Sequence, residues 1–185
     1  MKTIVVTGYK PIEMGIFKYN DPKIVFVKAA IKKRVAAMIE EGLEWVLISG
    51  QMGVELWAAQ VIMDLKEEYF IQLGVIPPFE NQQERWPEEW QHAYEEVTMM
   101  ADFYQPVYNK EYQGPYQFKA KDQFLVEHSQ GCLVLYDEDT KGSPDFFLKA
   151  AKKLSRHYSI LYITPLDLEE TVEEMRMQDP DYWSE

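Results

Sequence analysis

A short apolar segment at 45–48 ends in a turn with two glycines, and a helical pattern of apolar residues follows at once. Glycines let the backbone approach a ligand closely, and the unpaired N–H groups of a helix's first turn attract anions. This order of strand, glycine turn and helix is typical of a phosphate-binding site. The candidate ligand-binding residues of the turn are Ser49, Gly50, Gln51, Gly53 and Glu55.

Glu55 lies on the first turn of the predicted helix, close to the expected position of a sugar or phosphate. Its carboxylate could bind ribose hydroxyls, or it could serve as the general base of an enzyme. If the chain is an enzyme, Glu55 is the candidate catalytic residue. A β-branched residue at Gly53 is expected to abolish ligand binding and leave the fold intact.

Loops that follow other predicted strands are expected to meet this turn and form one composite pocket, because ligands of parallel α/β sheets bind at the carboxyl ends of the strands. Phe79 is expected to stack on a base. The residues that these loops are expected to contribute are Thr7, Gly8, Tyr9, Lys10, Phe79, Lys119, Asp137, Gly142 and Ser143.

Each candidate also has a purely structural interpretation. Gly50 and Gly53 could simply shape a tight turn, and Glu55 could be a carboxylate favoured by the helix dipole. The segment 142–144 is fully explained as a helix N-cap followed by proline at the first helical position. The same geometry would also make a second anion site. Thr7 and Gly8 could merely end a strand.

The elements that must position these residues alternate strictly between apolar strands and helices. Predicted strands span 3–6, 45–48, 71–76, 103–108, 132–136 and 159–163, and predicted helices span 22–42, 52–69, 87–100, 115–128 and 144–156. Strands this apolar are buried on both faces. The pattern predicts a single α/β domain with a Rossmann-like, doubly wound, mainly parallel sheet and helices on both faces.

The predicted domain covers residues 1–175, and residues 176–185 form an acidic tail that is expected to fray, although Trp183 could dock on the body. Trp86, Trp90 and Tyr94 recur at helical spacing. Core packing explains this aromatic face best, and a partner or dimer surface is the alternative.

Composition excludes several functional classes. A net charge of −12 argues against a sequence-independent nucleic-acid binder, which needs a cationic surface. No apolar segment is long enough to span a membrane. Cys132, the single cysteine, cannot form an internal disulfide and reads as a small buried strand residue, which fits a reducing cytoplasm.

The motifs that the sequence lacks exclude further kinds of site and enzyme. The three histidines have no ligand-like spacing to one another or to Cys132, so no metal site is predicted. Walker, nucleophile-elbow and Gly-x-Gly-x-x-Gly motifs are absent, which disfavours a dinucleotide-dependent dehydrogenase. The expectation is a nucleotide-like ligand and no required cofactor.

The chain resembles the YpsA-like family of Firmicutes, a branch of the SLOG superfamily that is named for DprA and the LOG enzymes. The resemblance covers nearly the whole chain. It is carried by Val-Thr-Gly-Tyr-Lys-Pro at 6–11, by Ile-Ser-Gly-Gln-Met-Gly-Val-Glu at 48–55, and by matching segments at 78–79, 117–124, 135–137 and 142–144. It implies a Rossmann-like fold, a nucleotide-derived and ADP-ribose-like ligand, and a cytoplasmic role in cell division or stress.

The resemblance departs from the LOG hydrolases at their catalytic motif. LOG enzymes carry Pro-Gly-Gly-x-Gly-Thr-x-x-Glu, whereas Glu55 follows Gly53 after one residue and no threonine follows that glycine. The spacing is closer to the DprA-like Ser-Gly…Gly-x-Asp pattern, with Glu55 in the place of the acid. DNA binding is not carried over to so acidic a chain.

Three functional hypotheses follow. The leading one is a non-catalytic sensor or adaptor that binds a nucleotide-like ligand, with a phosphate at the start of the second helix, and alters the interface with a protein partner. The rival is a hydrolase of N-glycosidic bonds that uses Glu55. The third is a ligand-independent interaction module that works through the aromatic face, and a homo-oligomer is plausible in the superfamily.

Overall fold

The computed structural model describes residues 1–154 and 157–181. Strands and helices alternate, and a short 3₁₀ helix, Pro11–Met14, follows the first strand. The strands are β1 (Thr3–Thr7), β2 (Trp45–Ile48), β3 (Gln72–Val75), β4 (Phe103–Tyr104), β5 (Gly131–Leu135) and β6 (Ser159–Ile163). The helices are α1 (Lys23–Glu40), α2 (Val54–Leu65), α3 (Glu88–Met100), α4 (Tyr116–Glu127), α5 (Pro144–Leu154) and α6 (Pro165–Gln178).

All strand pairs are parallel, and the sheet order is β4-β3-β2-β1-β5-β6. From β1 the chain builds outward to β4 on one side, and then crosses over to place β5 and β6 on the other side. The direction of winding therefore reverses at β1, where ligands of such sheets bind. The predicted Rossmann-like, doubly wound fold is confirmed.

Helices cover both faces of the sheet. Ile4 and Val6 of β1 belong to the larger hydrophobic cluster, in which α1 and α2 pack together and are flanked by α6 and α3. Val5, which points the opposite way, belongs to a second cluster beneath α4 and α5. Cys132 also lies in this second cluster and is fully buried, which confirms its predicted place in a buried strand. Burial raises the pKa of its thiol to about 12.

Two predicted elements are shorter than expected. α2 begins at Val54 and ends at Leu65 rather than spanning 52–69. β4 has only two residues rather than the predicted 103–108, because β3, the strand with which it pairs, is followed by Pro77-Pro78. These prolines accept hydrogen bonds from Val107 and Tyr108 through their carbonyl groups but have no N–H to donate in return.

The carboxyl-terminal part of the chain contains a helix that the apolar pattern did not predict. Thr164 caps α6 by accepting a hydrogen bond from the backbone N–H of Asp167, whose side chain accepts one in turn from Thr164. This capping box, with Pro165 at the first helical position, was a readable signal. α6 continues to Gln178, beyond the predicted boundary at 175. The predicted end of α5 at 156 and Trp183 lie outside the described residues.

Candidate functional site

A cavity of about 340 Å³ opens at the carboxyl ends of β1 and β2. One side, which we call the loop wall, consists of residues from these strand ends and from α2: Thr7, Gly8, Lys10, Ser49, Gln51 and Glu55. The opposite side, which we call the helix wall, consists of residues on or just before α4: Pro115, Phe118, Lys119, Lys121 and Asp122. Gln82, Ser143, Phe146 and Phe147 complete the lining. The predicted residues that the fold brings to this cavity are thus Thr7, Gly8, Lys10, Ser49, Gln51, Glu55, Lys119 and Ser143.

Glu55 holds the loop wall together. Its Oε1 atom accepts hydrogen bonds from the backbone N–H and the hydroxyl of Ser49, at 2.7 and 2.8 Å, and from the N–H of Gly50 at 3.2 Å. Its Oε2 atom accepts one from the hydroxyl of Thr7 at 3.0 Å. The carboxylate is buried, so these bonds tie the end of β1 to the β2–α2 turn. Glu55 is therefore largely occupied by the protein itself.

The start of α2 is likewise covered by the chain. The N–H of Val54, the first helical residue, donates to the carbonyl oxygen of Tyr9 at 3.2 Å. Gly53 has a φ of 93°, and a Cβ at this position would collide with the same carbonyl oxygen. Gly53 is needed for this close approach and does not line the cavity. Two expectations therefore need correction: Val54 N–H is not free for a phosphate, and a β-branched residue here cannot leave the fold undisturbed.

Gly50 also serves packing. Its φ is 87°, and a Cβ here would contact the ring of buried Tyr94 at 2.8 Å. Gly50 is absent from the cavity wall, although its N–H helps to fix Glu55. Gln51 is on the wall, and its side-chain oxygen accepts a hydrogen bond from the N–H of Met52 at 2.9 Å.

The second predicted anion site, at the start of α5, is filled by a carboxylate from the 3₁₀ helix. Glu13 accepts hydrogen bonds from the N–H and the hydroxyl of Ser143, at 2.8 and 2.7 Å, and from the N–H of Lys10 at 2.8 Å. Partial burial on its own would raise the pKa of Glu13, but these hydrogen bonds outweigh it and lower the pKa below its ordinary value. Gly142 packs directly against Glu13 and donates its N–H to Asp145, away from the cavity.

Tyr9 and Asp137 organise the β5–α5 loop instead of facing the cavity. The hydroxyl of Tyr9 lies 2.9 and 2.7 Å from the carbonyl oxygens of Asp137 and Thr140, and it accepts a hydrogen bond from the N–H of Asp137. The Asp137 carboxylate accepts hydrogen bonds from Asp139 N–H and from the Thr140 hydroxyl. Burial raises the pKa of Tyr9, so this phenol stays protonated.

Phe79 does not reach the cavity either. It is 6% exposed and packs against Tyr112 and Phe118, with ring centroids 5.2 and 5.4 Å away. Phe118 is 37% exposed and lies on the helix wall, so the ring available for stacking belongs to Phe118. Phe79 supports it from behind.

Apart from Lys119, which was predicted, the helix wall consists of functional candidates that the sequence interpretation missed. Pro115, Phe118, Lys119 and Asp122 follow the i, i+3, i+4, i+7 spacing of one helical face, and all of them line the cavity. A core-facing stripe would be apolar at these positions, so charged residues at this spacing were a usable signal. α4 is anchored by fully buried Gln117, whose side chain bonds the backbone of the preceding turn.

The aromatic face on α3 is part of the core. Trp90 is 7% exposed and Tyr94 is 2% exposed, and Trp90 packs against Tyr19 and Trp57. The core interpretation is confirmed for Trp90 and Tyr94, and Trp86 is half-buried and packs edge-on against Tyr94. Within the described residues, no group of three or more His, Cys, Asp or Glu side chains is arranged to hold a metal ion. In the same part of the chain, no helix has the length and apolarity needed to cross a bilayer.

Comparison with known proteins identifies the family. Residues 4–168 match the family model YpsA, which is described as the YspA SLOG family. The chain belongs to this family. The predicted resemblance to the YpsA family is thus confirmed.

Relatives of similar length support this assignment. UPF0398 protein OB1025 of Oceanobacillus iheyensis is 57% identical over 183 residues, covering 99% of this chain and 100% of the relative. A UPF0398 protein of Bacillus pumilus is 48% identical, with 94% and 93% coverage. UPF0398 protein YpsA of Bacillus subtilis is 47% identical, with 94% and 98% coverage. The YpsA-family match therefore extends over essentially the whole of each protein.

Proposed function

We propose that this YpsA-family protein is a cytoplasmic regulatory protein that binds a nucleotide or an ADP-ribose-like derivative in the cavity between the loop wall and the helix wall. The proposal rests on the charge of the cavity wall, which is opposite in sign to the net charge of the whole chain. Lys10, Lys119 and Lys121 line the cavity against two carboxylates, in a chain whose net charge is −12. A surplus of cations in one cleft of an acidic protein favours an anionic ligand.

Shape and chemistry support a nucleotide in particular. The volume of about 340 Å³ falls in the range of about 300–1,000 Å³ that is common for small-molecule sites. Phe118 and Phe146 offer exposed rings on which a base can stack. The hydroxyl oxygens of Thr7 and Ser143 donate to Glu55 and Glu13, but they can still accept hydrogen bonds from sugar hydroxyls.

Binding is a better-supported function than hydrolysis. Glu55, the candidate general base, already accepts four hydrogen bonds from the protein. A base must reach the proton that it removes, and these bonds leave Glu55 little freedom to do so. Regulation would then come from a ligand-dependent contact with a protein partner in cell division or with a second copy of this chain.

Ligand titrations test the proposal directly. Thermal unfolding is followed with AMP, ADP-ribose, NAD and cyclic dinucleotides, and with inorganic phosphate as the anion control. A ligand at one hundred times its Kd adds about 2.7 kcal/mol of stability, which raises the Tm of a chain of this length by about 5–10 °C. Chromatography of the same mixtures shows whether any N-glycosidic bond is cleaved.

A pair of matched variants then tests whether the ligand binds in this cavity. Lys119→Ala is expected to weaken binding about tenfold, since it removes one cation from the cavity. Lys32→Ala removes the same charge from an exposed position of α1 and should leave the affinity unchanged. Equal affinities in the two variants, or no Tm increase with any of the compounds, would contradict the proposal. Release of a free base would instead support the hydrolase.

A further inference from the structure

We propose that the phosphate group of the ligand binds on the helix wall, to the ammonium groups of Lys119 and Lys121 on α4, and not to the backbone N–H groups at the start of α2 or α5. This placement rests on the proposed nucleotide-binding function, and it assigns the most highly charged part of the ligand to one wall of the cavity. The phosphate then lies opposite the glycine turn that first suggested a ligand.

The backbone donors of the two phosphate-site patterns are already bonded within the protein. Four N–H groups of the β2–α2 turn have acceptors in the chain, those of Ser49, Gly50, Met52 and Val54. At the start of α5, the N–H of Ser143 donates to Glu13. A phosphate at either place would have to replace such bonds, and it would lie beside the carboxylate of Glu55 or Glu13, where like charges repel.

The helix wall, in contrast, has cations with donors to spare. Lys121 lines the cavity with a side chain that is 15% exposed, and its Nζ atom lies 2.8 Å from Oδ1 of Asp122. An ammonium group has three N–H donors, so pairing with one carboxylate oxygen leaves donors for a ligand. Lys119 is exposed at the cavity, and none of the ion pairs among the described residues involves it.

The surplus of positive charge in the cavity lies on the same wall. Lys119 and Lys121 line the helix wall with one carboxylate, that of Asp122, whereas on the loop wall Lys10 is matched by Glu55. The ion pair with Asp122 also holds Lys121 at the cavity, so less side-chain freedom is lost when a ligand binds. The helix wall is therefore the better site for an anion.

This placement agrees with a base on Phe118. Lys121 follows Phe118 by three residues on α4, and side chains at this spacing are neighbours, with about 5–6 Å between their Cβ atoms. Lys119 is adjacent to Phe118 in the sequence and lines the cavity with it. One ribose separates the base of a nucleotide from its phosphate, and the long side chain of a lysine can span that separation.

Adenosine and AMP, which differ only in the phosphate, test this placement. Calorimetry gives the ratio of their dissociation constants for the intact protein. We expect AMP to bind about a hundredfold more tightly, because two hydrogen bonds between charged groups contribute about tenfold each. Lys119→Ala, at an exposed position, should lower the ratio to about tenfold. Lys121→Ala should lower it at least as far, since Asp122 then lies near the phosphate without its counterion.

Lys10→Ala is the matched variant on the opposite wall. It removes the same charge from the same cavity, and it should lower the ratio by less than about threefold because Lys10 does not touch the phosphate. Lys32→Ala on α1 controls for the net charge of the chain and should leave the ratio unchanged.

The outcomes separate this placement from the proposed function. A larger fall in the ratio for Lys10→Ala than for the two α4 variants would put the phosphate on the loop wall and overturn the placement, while nucleotide binding would stand. Equal affinities of the unaltered protein for adenosine and AMP would also overturn it. If neither compound binds, the placement fails, and the thermal titrations with ADP-ribose, NAD and cyclic dinucleotides decide the proposed function separately. The comparison of Lys119→Ala with Lys10→Ala remains decisive if Lys121→Ala folds poorly.

Discussion

The two walls of the cavity differ in what satisfies their polar groups. On the loop wall, the carboxylate of Glu55 is surrounded by donors from Thr7, Ser49 and Gly50. On the helix wall, Asp122 is equally buried, and the partner of its Oδ1 atom is the ammonium group of the adjacent Lys121, 2.8 Å away. The wall with the stronger phosphate-site pattern is thus complete without a ligand. The buried carboxylate on the other wall is held by an ion pair within one helix.

A residue can therefore belong to a ligand-site motif because it builds the loop, not because it contacts the ligand. Glu13 has the same role at the start of α5, where its carboxylate accepts hydrogen bonds from Ser143 in the position that a ligand anion would take. In both loops the protein supplies its own carboxylate. The difference between Glu55, which is bonded to residues of other segments, and Asp122, which is paired with its neighbour, can be tested by substitution.

The largest effect is expected for Glu55→Ala. It leaves buried donors of Thr7, Ser49 and Gly50 without an acceptor, and we expect a loss of about 4 kcal/mol in the free energy of unfolding. Denaturant titration measures the loss, and Glu127→Ala is the control. A loss below about 1 kcal/mol would show that the loop wall does not depend on this carboxylate.

A smaller loss is expected for Gly53→Ala. The new Cβ collides with the carbonyl oxygen of Tyr9, and the φ of 93° strains any L residue, so we expect a cost of about 3 kcal/mol. Gly15→Ala is the matched control, because Gly15 has a φ of 69° with no atom within 4 Å of its Cβ position. Similar Tm values for the two variants would mean that the contact with Tyr9 has little effect on stability.

Glu13→Gln is expected to cost about 1.5 kcal/mol near neutral pH, because it weakens the hydrogen bonds from Ser143 and Lys10. The pKa of Glu13 is lowered by folding, so its stabilisation is complete above the ordinary value of 4.5 and is lost as the pH falls through the lower folded value. The difference in Tm between wild type and variant should therefore shrink below about pH 4.5. A constant difference down to pH 3 would contradict this assignment.

The smallest effect on stability is expected for Asp122→Ala. Removing a buried carboxylate also removes its desolvation penalty, and the partly exposed Lys121 can turn to water, so we expect a change within about 1 kcal/mol. Denaturant titration next to Glu55→Ala gives the comparison. A loss as large as that of Glu55→Ala would make Asp122 a structural residue and remove the distinction between the walls.

The fold could be predicted from sequence because parallel strands buried on both faces leave a simple apolar pattern. Among the strands, only the length of β4 was clearly overestimated. The backbone donors that it lacks would come from Pro77 and Pro78, which follow its partner strand β3, so the sequence of 103–108 does not report the loss. α6 was not predicted from apolar periodicity, although Thr164, Pro165 and Asp167 form a capping box that is readable in the sequence.

The site was harder to predict because its decisive contacts are distant along the chain. Glu55 and Ser49 lie close in sequence and were both predicted as ligand contacts, whereas in the structure they are hydrogen-bonded to each other. The bond between Glu13 and Ser143 joins residues 130 positions apart, and no local pattern reports it.

The position of β1 between β2 and β5 has a consequence for how the chain folds. β1 can pair with β2 through a local crossover, but its other edge must find residues 131–135. The side chain of Gln130 accepts a hydrogen bond from the N–H of Thr3, 127 positions away, at the start of this pairing. Closing so long a loop costs entropy before the contacts can compensate, which slows folding. Until β5 arrives, a half-built sheet exposes the unpaired backbone N–H and C=O groups along one edge of β1, and this interval is when the chain is most prone to aggregation.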